Sequence, residues 1–219
     1  MDKKELIVKG IGRTTAAPDL IVLTMNLEAG EPAYEKTMQR SVEMLDALRA
    51  AIVTAGHEGK ELKTTSFNIN TKYENYREND VWKQQFVGYT CTHGLRLEFD
   101  LDMSMLGKTL SAIAGCDADP NFSIQFSIKD PIAVSELLLE SAVGNAKQKA
   151  TVLARAAGVK LGAIQRIDYS WSELRLLSET DLRLSDSAVA FSSAAPMSMD
   201  IEPEDIKVSD TATVVWAIE

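Results

Sequence analysis

Between Asp130 and Gly158, alanine recurs at positions 142, 146, 150 and 154, and glycine follows at 158. Four-residue spacing places these side chains on one face of a helix. A helix that offers only methyl groups along that face lets its backbone lie close against a sheet or another helix. The limits of the helix are written into the same stretch. Asp130 supplies a capping carboxylate, Pro131 suits the first helical position, and Gly158 stops the run after about Ala157. At about 1.5 Å per residue this helix is roughly 40 Å long. Leu137 and Leu138 make its first half bulkier than its second.

The remaining apolar residues fall mostly at period two. Leu6-Ile7-Val8-Lys9-Gly10-Ile11-Gly12 reads as a first strand closed by its glycines. Ile21, Leu23, Met25 and Leu27 alternate with more polar neighbours in a second strand, from Leu20 to Glu28. After Pro32, the residues Tyr34, Met38, Val42, Leu45, Leu48 and Ile52 recur at helical steps until Gly56. Phe67, Ile69, Thr71 and Tyr73 mark a third strand, and Gln85 to Phe99 a fourth. Glu74 to Asp80, between them, reads as a polar hairpin tip. A short helix from Met103 to Ala114 follows, then a strand carrying Phe122, Ile124, Phe126 and Ile128. Ala163 to Trp171 and Ile206 to Ile218 are strand-like, separated by a partly mobile loop over 178–205.

Alternation of this kind favours antiparallel pairing with one face covered. The predicted fold is therefore α+β: a mostly antiparallel sheet of about seven strands, with two long helices and one short helix packed on one face. A coarse pseudo-repeat is visible, in which a strand, a long helix and two strands occur twice. Residues 1–219 are expected to form a single domain.

Composition excludes more than it identifies. Lys plus Arg total 23 and Asp plus Glu 32, a net charge of −9. That balance opposes binding to a nucleic-acid backbone, which needs concentrated cations. The longest apolar runs are a few residues, too short for a membrane span. No apolar segment of signal-peptide length follows Lys3 and Lys4. The expectation is cytoplasmic residence for the chain as written, and periplasmic or cell-envelope residence if a signal peptide has been removed.

Cys91-Thr92-His93 is the one place where a thiol and an imidazole stand close in sequence, at i and i+2 on one strand face. Tyr89, Leu95, Leu97 and Phe99 share that face, so the pair is expected in the core. The rival reading is a thiol-dependent or small-molecule pocket beside it. Cys91 and Cys116 are expected as free thiols, with a redox role through one bridge as a further alternative. His57, just past Gly56, reads as a local turn residue. Asp100, Asp102, Asp117 and Asp119 read as turn and cap residues, because the calcium-loop pattern is absent. Gly10-Ile11-Gly12 lacks the third glycine and the helix of a phosphate loop. Lys147 and Lys149 read as a solvated helix face. The serines from 185 to 198 have no base beside them. No catalytic, metal-binding or cofactor-binding residue is predicted. Tyr73, Tyr76 and Trp82, around the hairpin, are the candidate interface.

In order and spacing the chain resembles the SIMPL-domain family, which includes bacterial periplasmic immunogenic proteins and a eukaryotic protein that binds a Pelle-like kinase. The matching stretches are Ile7 to Gly12, Pro18-Asp19, Thr64-Thr65-Ser66, Gly88-Tyr89, Phe126, and the alanine helix followed by Leu161-Gly162. The resemblance implies an α+β fold, with no catalytic residues to carry over. It further implies oligomeric, channel-like or ring-shaped envelope assemblies and, for some members, a link to oxidative-stress tolerance. Ile201 to Asp205 stands where many relatives have a proline-glycine turn. The function expected is a non-enzymatic one, exerted through protein contacts in a homo-oligomer whose other partners are unidentified.

Overall fold

A computed structural model describes residues 4–169, 176–180, 182–183 and 201–219. The elements in chain order are β1 (Glu5–Ala16), β2 (Leu20–Glu31), α1 (Tyr34–Ala55), β3 (Lys63–Glu78), β4 (Val81–Asp100), α2 (Met103–Ala114), β5 (Asn121–Ser127), α3 (Pro131–Ala157), β6 (Leu161–Tyr169), the two-residue β7 (Leu182–Arg183) and β8 (Ile206–Ile218). The α+β class stands, with the strands divided between two sheets. Most of the loop expected over 178–205, Trp171 and the serine run at 185–198 lie outside the described residues.

Contacts group the chain into two units. One holds Met1–Asp19, Ser127–Glu179 and Pro203–Glu219; the other holds Leu20–Phe126 and Thr180–Glu202. The first holds β1, α3, β6 and β8, with its three strands in the order β1-β8-β6. In the second, β2, α1, β3 and β4 occur in the same sense, with the order β3-β4-β2 extended by β5 and β7. Each unit is thus a strand, a long helix and two strands, whose last strand lies antiparallel between the other two. The pseudo-repeat is present, but it does not follow the halves of the sequence. One repeat is inserted after the first strand of the other.

The alanine helix packs inside the first unit. Asp130 accepts from the backbone N–H of Ile132 and Ala133 at 3.1 Å, and Gly158 closes the helix in the left-handed region at φ 70°. Ala142, Ala146, Ala150 and Ala154 are all buried. Ala146 and Ala150 pack with Val8, Val214 and Trp216 of the sheet. The surface they meet is β1, which does not end at its glycines but runs on to Ala16. A Cβ on Gly10 would fall inside the Ala142 carbonyl oxygen and lie 2.7 Å from the Ala146 nitrogen. Gly12 is equally tight, with Ala142 N at 2.9 Å. Glycines in the strand and alanines on the helix together bring backbone against backbone.

In the second unit, Ile21, Leu23, Met25 and Leu27 of β2 are buried with Leu95 and Leu97 of β4, beneath α1 and α2. The buried face of α1 is Thr37, Ser41, Met44, Leu48 and Ile52. Tyr34 and Val42, expected inward, are half exposed. The helix is turned so that two small hydroxyl residues face the sheet. Thr37 donates to the Ala33 and Glu31 carbonyls, and Ser41 accepts from the Cys91 thiol, so their burial leaves no orphan. The limits of α2 agree with expectation, and Asp102 caps it through Ser104 N and Met105 N. No helix among the described residues is long and apolar enough to cross a membrane.

Candidate interaction surface

The face carrying Cys91 and His93 is closed. Cys91 is 1% exposed and His93 is 6% exposed. The two side chains have different partners: Cys91 Sγ donates to Ser41 Oγ at 3.3 Å, while His93 Nε2 meets Thr64 Oγ1 at 2.9 Å. Phe67 stands edge-on to the imidazole at 5.1 Å. No thiol–imidazole hydrogen bond is formed, so the geometry of an activated nucleophile is not present here. Both Cys91 and Cys116 are free thiols.

His57 does more than terminate a turn. Gly56, at φ 113°, redirects the chain so that the imidazole is buried, with Nε2 2.7 Å from Thr109 Oγ1 of α2 and its ring 4.7 Å from Phe99. It ties α1 to α2, a long-range role invisible in the local sequence. Burial lowers the pKa of both histidines below 6.5; Glu61 partly opposes this at His57, and the Arg49 charge reinforces it at His93. The folded state therefore resists protonation where the unfolded chain accepts it. Their contribution is fully present above about pH 6.5 and is lost as the pH falls below it. Urea midpoints should fall as the pH is taken from 7 to 5, because the unfolded chain then binds protons that the two buried imidazoles resist. His57→Gln and His93→Gln should each flatten that fall.

The exposed chemistry lies on the β3–β4 ribbon. β4 pairs with β2 from Tyr89 to Asp100 and with β3 from Val81 to Arg96. From Val81 to Gly88, β3 is thus its only registered neighbour among the described residues, and the pair forms a two-stranded ribbon. Pairing continues to Glu78↔Val81, so the seven-residue tip expected from Glu74 to Asp80 shrinks to a turn at Asn79 and Asp80. Both have positive φ, 48° and 62°, as two-residue hairpin turns require. Apart from Ile69, every residue of β3 is exposed, and among the described residues its outer edge pairs with no other strand.

Aromatic rings follow one face of this ribbon. Tyr34 meets Tyr89 at 5.6 Å, Tyr89 meets Phe86 at 5.3 Å, and Phe86 meets its cross-strand partner Tyr73 at 5.8 Å, all edge-to-face. Trp82 lies further along the same face by strand parity and is 70% exposed. Tyr76, paired with Lys83, is on the opposite face. The structure thus joins Tyr73 and Trp82, separates Tyr76, and adds Phe86 and Tyr89. Phe86 is out of phase with the Tyr89-to-Phe99 alternation of the fourth strand, so only the register shift beside it brings it onto the face of Tyr89. A bulge between Lys72 and Tyr73 keeps the stripe continuous, and Gly88 sits opposite Lys72 with φ 152°.

Two β-α-β-β units, one bearing an exposed aromatic ribbon, define an α+β protein. The SIMPL family profile, described as a protein of unknown function (DUF541), matches residues 6–216, and the chain belongs to that family. It is 27% identical over 163 residues to the 26 kDa periplasmic immunogenic protein of Brucella melitensis biotype 1 (strain ATCC 23456 / CCUG 17765 / NCTC 10094 / 16M). The protein of the same name from Brucella abortus (strain S19) is 26% identical over 163 residues. Each match covers 74% of this chain and 65% of the relative, so just under two thirds of the relatives' length is spanned.

Proposed function

We propose that this protein is a non-enzymatic binding protein of the bacterial periplasm, acting through protein contacts as a homo-oligomer. Its self-association uses the outer edge of β3 and the aromatic stripe of the ribbon. The observation that carries this reading is the 16-residue edge of β3, unpaired among the described residues, beside exposed Tyr73, Phe86 and Trp82. Unpaired strand edges template further pairing, and aromatic residues dominate contact energies. The edge also suits a second copy of itself. Antiparallel pairing centred on Tyr73 sets Lys72 of each copy opposite Glu74 of the other. The printed names of the Brucella relatives support periplasmic residence. A part in stress tolerance, which the family resemblance implies, belongs to the same proposal.

Light scattering coupled to size exclusion tests this. Lys72→Glu and Glu74→Lys should each weaken association about tenfold, since two like-charge pairs then face each other. The double substitution K72E/E74K should restore it. A monomeric wild type at high concentration, or a double variant no better than either single one, would overturn the proposal.

A further inference from the structure

β1 is an edge strand, and α3 covers its free edge with side chains. Asn145 Oδ1 accepts from the backbone N–H of Ile11 at 3.0 Å, and Ser141 Oγ accepts from that of Arg13 at 3.3 Å. Lys149 Nζ donates to the Lys9 carbonyl at 3.1 Å. These contacts line an open groove of about 570 Å³ with Ile11, Arg13, Gly144 and Gln148. Small-molecule sites are of this size.

The hydrogen bonds decide the character of the groove. A backbone N–H can meet only an acceptor, so the Asn145 amide must turn its oxygen to Ile11 and its NH2 away. Ser141 likewise spends its oxygen on Arg13 N and retains its own hydrogen as a donor. Lys149 has further ammonium hydrogens beyond the one given to Lys9, and Arg13 forms no ion pair among the described residues. None of the seven lining residues is acidic, although the chain carries a net charge of −9. What remains to a ligand is two cations with the donor hydrogens of Asn145 and Ser141, whose oxygens already accept from β1, beside the side-chain amide of Gln148.

We propose that this groove between β1 and α3 binds a small oxyanion, a carboxylate or phosphate group, through Arg13, Lys149 and the Asn145 amide. Charge-assisted hydrogen bonds from arginine and lysine to oxyanions are stronger than those to neutral acceptors, so the two cations favour an anion over a neutral acceptor and disfavour a cation. The site is on a different unit from the ribbon and does not depend on its role.

Titration of the full chain with inorganic phosphate, and separately with acetate, followed by amide NMR, tests it. Saturable shifts are expected at the Ile11 and Arg13 amides and the Asn145 side chain, with sodium chloride of equal ionic strength producing none. Whichever anion saturates at lower concentration identifies the group preferred. The exposed substitutions Arg13→Gln and Lys149→Gln should each raise the midpoint about tenfold. Asn145→Asp keeps the acceptor that caps Ile11 N–H but replaces the donor with a negative charge, and should abolish binding while leaving the spectrum elsewhere unchanged. Shifts that do not saturate, that chloride reproduces, or that persist in Asn145→Asp would overturn the proposal.

Discussion

Gly10→Ala should destabilise the protein by at least about 3 kcal/mol, enough to shift a urea midpoint by more than a molar unit or to prevent folding. The added methyl group would enter the Ala142 carbonyl oxygen and press on Ala146 N and Cβ, at 2.7 and 2.8 Å. Neither partner is the flexible end of a side chain. Relief requires α3 to move off β1, which would also open its contacts with Val8, Val214 and Trp216. Trimming Ala146 to glycine should not rescue the variant, because the Ala142 carbonyl belongs to the backbone. Gly144 of the same helix provides the control. A Cβ there meets nothing within 4 Å, so Gly144→Ala should stabilise by about 0.5–1 kcal/mol. Opposite signs for two glycine-to-alanine changes, read from equilibrium denaturation, separate steric contact from intrinsic preference.

Gly88→Ala is expected to cost about 3 kcal/mol and to release the ribbon. Its φ of 152° lies in a region that side chains rarely adopt, and a Cβ would strike the Glu31 carbonyl and approach Pro32 Cα at 2.9 Å. Here β2 leaves the sheet toward α1 and crosses β4 closely. Displacing that crossing would separate Tyr34 from Tyr89 and break the aromatic stripe at its base. Hydrogen exchange should show lost protection over residues 70–92, with the alanine helix unaffected. Loss of protection spread evenly over the chain would refute a local role for Gly88.

These two glycines also show where the sequence could and could not be read. Both ends of α3, and those of α2, were legible because Asp130, Asp102 and Gly158 act locally, through their own backbone neighbours. The strand through Gly10 and Gly12 was cut short because glycine interrupts a pattern whether it breaks a strand or admits a helix, and only the opposing surface distinguishes the two. The buried face of α1 was misplaced for a related reason. Thr37 and Ser41 are polar in sequence and become acceptable inside only where a specific partner waits, as the Cys91 thiol does for Ser41. The ribbon beyond Tyr73 is exposed on both faces, so no alternation marks it, and its charges resembled a loop. Among the candidate site residues, Tyr73 and Trp82 were found from composition around a turn. Their grouping with Phe86 and Tyr89 needed the bulge, which shifts strand parity.

The interleaving of the two units has a kinetic consequence. β1 pairs with β8 in a register that joins Glu5 to Ala217, whereas the β3–β4 ribbon closes over two residues. Closing so long a loop delays pairing, and slow formation follows from high contact order. As the chain emerges during synthesis, β2, β3 and β4 can pair while β1 still lacks β8. The sheet of the first unit closes only when β8 pairs between β1 and β6, so β8 acts as its latch.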